Sequence, residues 1–372
     1  MLIDIIAGAR PNFMKIAPII EAIKSANTEG GYNVHFRLIH TGQHYDKNMS
    51  DNFFEQLGIP LPDINLEAGG GTQAEQTANI MVRYEKVLLN KKSDLCLVVG
   101  DVTSTMACSI AAKKLNIKVA HVEAGIRSFD LTMPEEINRM VTDAITDYFF
   151  TTSTVANHNL RNAGVAEKHI FFVGNTMIDT LLKNKDRFSR PPIYDTLHLI
   201  KKQYFVMTLH RPANVDQAEK LRHLIHEITS NTEGLPIIFP VHPRTAKIFS
   251  DLGITAENLH TVEPMSYLDF NYLVERAKCV ITDSGGITEE TTVMGVPCIT
   301  LRDNTERPET VSIGTNELIG TNPDAIAPAL KKLFQGGWKK GGIPELWDGK
   351  TAPRIIQHLL RVFNIQQNTP SV

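Results

Sequence analysis

No stretch of this 372-residue chain approaches the roughly 18 uninterrupted apolar residues that a membrane-spanning helix needs. Cysteine is scarce: there are four, Cys96, Cys108, Cys279 and Cys298, with no CxxC pair. A disulfide scaffold and a thiolate zinc site therefore lack their usual signature. The four read as buried free thiols of a reducing compartment. The histidines never fall in an HExxH or HxxEH pattern, so a metal centre of that type is not expected. There is no GxxxxGK(S/T) phosphate loop and no GxGxxG after the first strand, which removes the fingerprints of Walker-type ATP chemistry and of NAD-dependent hydride transfer. Positive charge is not in excess either. Lys and Arg number 38 against 41 Asp and Glu, a net charge of −3, so no global field recruits nucleic acid or anionic lipid. Any anion must be held by a local site.

What is present is a regular alternation. Short β-rich runs are expected at 2–7, 34–40, 95–100, 119–122, 148–152 and 170–173. A second series comes at 204–208, 237–241, 259–262, 279–282, 298–301 and 317–319. Helical patterns lie between them, for example at 13–25, 74–89, 103–115, 134–145 and 287–294. Runs such as Cys96-Leu97-Val98-Val99 lack period-two alternation, as strands covered on both faces do. The class is α/β, with two Rossmann-like doubly wound domains. The expected limits are 1–182 for the first domain and 203–352 for the second, around the polar segment containing Arg190-Pro191-Pro192. A final helical segment, 353–372, is free to pack back on the first domain. The opening Met1-Leu2-Ile3-Asp4 reads as a first strand, not a secretory leader, and the expected location is cytoplasmic.

Ligands of open α/β sheets bind beyond the carboxyl ends of the strands, and the chemically notable motifs all fall there. Asp283-Ser284-Gly285-Gly286 comes after a strand and opens a helix whose unpaired N–H groups suit a phosphate. Ser284 adds a hydroxyl, and Glu290, deeper in that helix, is placed to accept from ribose hydroxyls. Gly8-Ala9-Arg10-Pro11 through Lys15 sets two cations beside another helix start, which suits a diphosphate. Arg302 to Glu309 forms a polar loop after a buried strand.

The other group is acidic. Gly100-Asp101, His121-Val122-Glu123 and Pro134-Glu135-Glu136 each put a carboxylate at a strand end or helix start. Singly, such acids are common helix caps. Three of them crowded at one sheet edge would raise one another's pKa, which suits proton transfer. His210-Arg211 and His242-Pro243-Arg244 each come after a strand in the second half and can handle negative charge.

In this order the motifs resemble the non-hydrolysing UDP-N-acetylglucosamine 2-epimerase family. The similarity runs from Gly8-Ala9-Arg10-Pro11 through Thr41-Gly42-Gln43-His44, Gly100-Asp101, His121-Val122-Glu123-Ala124-Gly125 and Pro134-Glu135-Glu136-Ile137-Asn138-Arg139. It continues through Gly174-Asn175-Thr176, His210-Arg211, Pro240-Val241-His242-Pro243, Asp283-Ser284-Gly285-Gly286, Glu289-Glu290 and Thr305-Glu306-Arg307-Pro308-Glu309. The resemblance implies a glycosyltransferase-B-like fold with the site in the cleft between two domains, and a homodimer. It implies UDP held by Arg10, Phe270, Ser284, Gly285, Gly286, Glu290 and Arg307. Lys15, Asp101, Glu123, Glu135 and His210 would surround the sugar and its leaving group. Gln43, His44 and His242 fit the region where many bacterial members bind a second UDP-sugar as activator. Neither NAD nor a metal is implied.

The reaction implied is reversible inversion at C2 of UDP-N-acetylglucosamine, giving UDP-N-acetylmannosamine. The C2 hydrogen is not acidic in the substrate, but it becomes so if the C1–O bond to UDP breaks as the proton leaves. Anti elimination then gives UDP and 2-acetamidoglucal, and UDP adds back with a proton delivered to the opposite face.

The chain departs from the family pattern in three places. It reads His210-Arg211-Pro212-Ala213-Asn214 where His-Arg-Arg-Glu is usual. It has Met265 where a Gln is common near the uracil, and it differs at 45–50 and 67–72 around the second ligand region. Open alternatives are a 2-epimerase of another UDP-2-acetamido sugar, a glycosyltransferase of the same fold, and a non-catalytic nucleotide-sugar sensor.

Overall fold

Strands rich in apolar residues build two parallel sheets in the computed structural model, which describes residues 1–42, 56–241 and 243–367 apart from the side chains of Arg10, Pro212, Pro243 and Arg244. In the first sheet, β1 (Leu2–Ala7), β2 (His35–His40), β3 (Ile64–Asn65), β4 (Leu95–Val99), β5 (Lys118–Val122), β6 (Tyr148–Thr151) and β7 (Ile170–Phe172) run in the order β3-β2-β1-β4-β5-β6-β7. The second holds β8 (Phe205–Thr208), β9 (Ile237–Pro240), β10 (Leu259–Val262), β11 (Cys279–Thr282), β12 (Cys298–Thr300) and β13 (Asn316–Leu318), ordered β10-β9-β8-β11-β12-β13. Both sheets reverse direction of growth beside their first strand, β1 against β4 and β8 against β11. This is the doubly wound arrangement, and it opens a crevice at each reversal. The two-residue β3 is too short to leave a sequence signal.

Each sheet is covered by helices whose apolar residues recur at helical spacing. Ile16, Ile19, Ile20 and Ile23 bury one stripe of the helix Arg10–Thr28. Every residue of β4 is buried, which explains the missing alternation in its sequence. Among the described residues no helix is long and apolar enough to cross a membrane.

The chain divides into two compact units: residues 1–183 with 345–372, and residues 184–344. The second unit therefore starts earlier than 203, and residues 345–352 pack with the first unit, not the second as the sequence led us to expect. The reason lies in long-range contacts. Trp347 is fully buried and its Nε1–H donates to the Thr152 carbonyl at 3.0 Å. Asp179 accepts from the N–H groups of Thr351 (3.1 Å) and Ala352 (2.7 Å), satisfying the start of the helix Thr351–Val362. That helix then buries Ile355, Ile356 and Leu359.

Candidate functional sites at the two switch points

At the first reversal, the turn after β1 is tied to the end of β4 by one side chain. Asn12 Oδ1 accepts from Gly8 N (3.1 Å) and Ala9 N (3.0 Å), while its Nδ2 donates to the Val99 carbonyl (3.2 Å). The turn after β1 thus delivers Lys15, on the helix Arg10–Thr28, to the next strand end. Lys15 Nζ reaches Glu123 Oε2 at 2.7 Å, with the Glu123 side chain only 3% exposed. Glu123 holds a left-handed backbone, φ +73°, directly after β5. Gly100 is left-handed too, and a Cβ there would lie 2.9 Å from Lys15 Nζ. Glycine is required at that spot on both counts.

Asp101 is the next residue. Its Oδ2 accepts from Arg139 Nε (3.0 Å) and Nη2 (2.6 Å), and its carbonyl accepts from Asn138 Nδ2 (2.9 Å). Arg139 is itself buried and donates through Nη1 to Glu136 Oε2 at 2.6 Å. Glu136 also accepts from the N–H groups of Ser128 and Phe129. Burial works to raise its pKa, but these donors and the Arg139 charge hold it below the ordinary value. Glu135 is half-buried in the first turn of the helix Pro134–Ile145. Beneath these groups His121 is fully buried, with Nδ1 2.7 Å from Asp143 Oδ1 and Nε2 2.8 Å from the Gly100 carbonyl.

The second reversal lies between β8 and β11, whose last residues Thr208 and Thr282 are paired and share a 2.6 Å hydroxyl–hydroxyl bond. His210 leaves β8 with its side chain 60% exposed and Nδ1 2.7 Å from Asp283 Oδ1. Ser284 caps the helix Gly285–Met294, but its hydroxyl does not close onto the helix backbone, so it is uncommitted to capping. Glu306 reaches over the same helix start. A Cβ at Gly285 would meet its Oε1 at 2.7 Å, and Arg302 Nη2 holds its other oxygen at 2.5 Å. Arg307 is buried in an ion pair with Glu289. Glu290 is buried one turn deeper, where it accepts from the Tyr267 hydroxyl at 2.8 Å. Burial pushes its pKa up to about 7, with the neighbouring Glu289 charge acting in the same direction.

Residues 27–360 match the sequence model of the UDP-N-acetylglucosamine 2-epimerase family. The chain belongs to that family. It is 41% identical to the UDP-N-acetylglucosamine 2-epimerase of Methanocaldococcus jannaschii, an alignment covering 96% of this chain and 99% of that one. It is 38% identical to the UDP-2,3-diacetamido-2,3-dideoxy-D-glucuronate 2-epimerase of Pseudomonas aeruginosa, over 97% of this chain and all of the relative. Among solved structures it resembles the Methanocaldococcus jannaschii enzyme in complex with UDP-N-acetylglucosamine and UDP. There the TM-score is 0.87 at 40% identity, covering 97% of this chain and 100% of the other. The two parallel-sheet domains are those of the glycosyltransferase-B-like class.

With the family established, the sequence-derived residues fall into two groups. Lys15, Asp101, Glu123 and Glu135 surround the first reversal; His210, Ser284, Gly285, Gly286, Glu290 and Arg307 surround the second. Phe270 lies on the helix Tyr267–Arg276, half-buried against the core beside Met265. Arg10 opens its helix, but its side chain lies outside the described residues, as do Gln43, His44 and His242.

One expectation needs correction. The acids of the first unit do not act chiefly on one another, because Glu123 faces Lys15 and Asp101 faces Arg139. Opposite charge governs that edge. Four residues were not singled out from sequence. Arg139 is bridged to two acids, Asp283 to His210, Arg302 to Glu306, and Tyr267 to Glu290. Each stands in or beside a recognised motif, so proximity in sequence was the available signal.

Proposed function

We propose that the chain interconverts UDP-N-acetylglucosamine and UDP-N-acetylmannosamine. The carrying observation is the pairing of acids with cations at one strand edge, Glu123 with Lys15 and Asp101 with Arg139, in a chain whose other unit presents an uncommitted serine and glycine helix start. Such pairing sets carboxylates beside positive charge at one edge, and carboxylates held in place are what a step that both removes and returns a proton requires.

In this reading UDP lies against the second unit. The Gly285–Gly286 helix start, Ser284, Arg10 and Arg307 take the diphosphate, Glu290 takes the ribose, and Phe270 lies by the uracil. The C1–O bond breaks and its electron pair leaves with the diphosphate, while the C2 proton passes to an acid of the first unit. The C2–H electron pair forms the C1–C2 double bond of 2-acetamidoglucal. Asp101, Glu123 and Glu135 stabilise the positive character at C1 and carry the proton. His210 and the helix start stabilise the departing diphosphate. Re-addition of UDP at C1, with a proton placed on the other face of C2, completes the isomerisation. No redox partner enters the balance.

The decisive experiment incubates the purified protein with UDP-N-acetylglucosamine in deuterated water and monitors C2 by NMR. Deuterium at C2 with appearance of the manno product supports the reading; an unexchanged C2 with UDP bound leaves a binding protein instead. A second substrate, a UDP-2,3-diacetamido uronic acid, is favoured by the extended similarity to the Pseudomonas aeruginosa relative, and a panel of UDP sugars separates the two.

We further read the protein as a cytoplasmic homodimer that serves cell-surface polysaccharide assembly. Four apolar side chains exposed on and before the helix Pro134–Ile145, namely Phe129, Leu131, Ile137 and Met140, support a partner copy there. Light scattering of the wild type and of Ile137→Lys tests it.

A further inference from the structure

Asp283 stands one residue ahead of the turn assigned to the diphosphate, and its own bonds point elsewhere. It is wholly buried, and its oxygens accept from the N–H groups of His210 (3.1 and 3.2 Å) and Arg211 (2.9 Å) and from Asn214 Nδ2 (3.1 Å). His210 Nδ1 adds a fourth donor group at 2.7 Å. All come from the segment after β8, while Asp283 lies just past β11, so the carboxylate spans the reversal of the sheet. Asn214 also donates to the Leu301 carbonyl (3.1 Å), which ties the same network to the end of β12.

Burial opposes ionisation of Asp283, yet its pKa lies below the ordinary value because His210, Arg211 and Asn214 favour the anion. An ionised carboxylate only accepts, so the hydrogen between the two side chains belongs to His210 Nδ1. The ring is thereby turned with Nδ1 towards the protein, while most of the side chain remains exposed. Nε2 is the nitrogen left for a ligand. Arg211, next in sequence, donates through Nε to the Asp283 carbonyl at 3.1 Å.

We propose that Asp283 is a positioning residue of the epimerase reaction, fixing the His210 ring through its Nδ1–H and supplying the buried negative charge opposite it, while a protonated Nε2 donates to the departing diphosphate. The proposal rests on the role given to His210 above. The bland alternative is a loop staple that holds the His210 and Arg211 backbone and contributes nothing through the ring.

A double-mutant cycle separates them, because a residue that acts through another loses its effect once that other is gone. Asp283→Asn retains an acceptor oxygen and removes the charge. In the otherwise unchanged protein it lowers kcat by about 10²-fold or more, with KM changed less than about threefold. In a His210→Asn background the same change costs less than about threefold. An equal loss in both backgrounds overturns the proposal and leaves the staple.

The protonated nitrogens of the ring are the second readout. Should Asp283→Asn not fold, they are read in the wild type by ¹⁵N NMR of the His210 ring. A ring protonated at both nitrogens with UDP bound supports the proposal, and one that lacks a proton at either overturns it. Failure of the function reading looks different: the wild type would then leave C2 of every UDP-2-acetamido sugar unexchanged.

Discussion

Lys15 Nζ and Glu123 Oε2 meet at 2.7 Å beside Gly100, close enough that a methyl group on that glycine would fall 2.9 Å from the amine and 3.7 Å from the carboxylate. The pair joins the helix after β1 to the end of β5, across the strand between them. The turn after β1 and the end of β5 thus deliver a cation and a carboxylate to the same spot.

Gly100→Ala tests this directly. A left-handed alanine costs about 1–2 kcal/mol of stability, and the added methyl must displace Lys15. Turnover is expected to fall by more than about tenfold while UDP affinity stays within about twofold, since the first switch point is disturbed and the second is not. Stopped-assay rates with calorimetric UDP titration measure both. Unimpaired turnover would show that the Lys15–Glu123 geometry is irrelevant to the chemistry.

The acids themselves are tested as amides. Asp101→Asn, Glu123→Gln and Glu135→Gln are each expected to depress turnover by about 10² or more with UDP still bound. Any one that turns over like the wild type does not belong to the site. Asp101→Asn has a distinct side effect, because Arg139 then loses a carboxylate partner while its bond to Glu136 remains.

Arg307 requires two variants. Its ion pair with Glu289 is buried on both sides, with 6% and 2% of the side chains exposed. Arg307→Met takes a cation away from the buried Glu289 and should cost about 3–5 kcal/mol in stability. Adding Glu289→Gln should recover much of that loss. UDP binding should remain at least about tenfold weaker in both, and restored affinity in the double variant would remove Arg307 from the nucleotide site.

Glu290 gives a pH prediction. Its folded pKa is about 7 against 4.5 for the free group, with burial as the main cause. The folded state therefore binds the proton more tightly than the unfolded chain. The stability this contributes is full below about pH 4.5 and is lost as pH rises to about 7, an amount of roughly 3 kcal/mol. Glu290→Gln lacks that loss. Its melting temperature relative to the wild type should climb between pH 4.5 and 7 and then level, even as UDP affinity drops. Parallel melting curves across that range would exclude the assignment of Glu290 as the titrating group.

Much of this was legible in the residues because both sheets are parallel. Fully apolar runs such as Leu95–Val99 mark covered strands, and the residues just past the end of each run must lie at the ligand-binding edge. That logic places Asp101 and Glu123 at one sheet edge on sequence alone, whereas Lys15 read from its motif as a diphosphate cation and joined the acids only through the family resemblance. Pairing was less legible. Asp283 and His210 lie far apart in sequence, and only the β8–β11 register brings them within 2.7 Å. Arg139 could be read as one more member of its motif, but its division between Asp101 and Glu136 depends on where the helix Pro134–Ile145 docks. The placement of residues 345–352 failed for a similar reason. The burial of Trp347 against Thr152 is a contact across nearly two hundred residues, and no local pattern announces it.

That same return of the chain bears on synthesis. Residues 184–344 are continuous and can complete their sheet as they leave the ribosome, whereas the first unit must wait for Trp347 and the helix Thr351–Val362 to emerge. Until then Asp179 has no amide donors from Thr351 and Ala352, and the stripe meant for Ile355 and Leu359 stays wet. A nascent chain from which residue 344 has just emerged would carry a finished second unit and an unfinished first one.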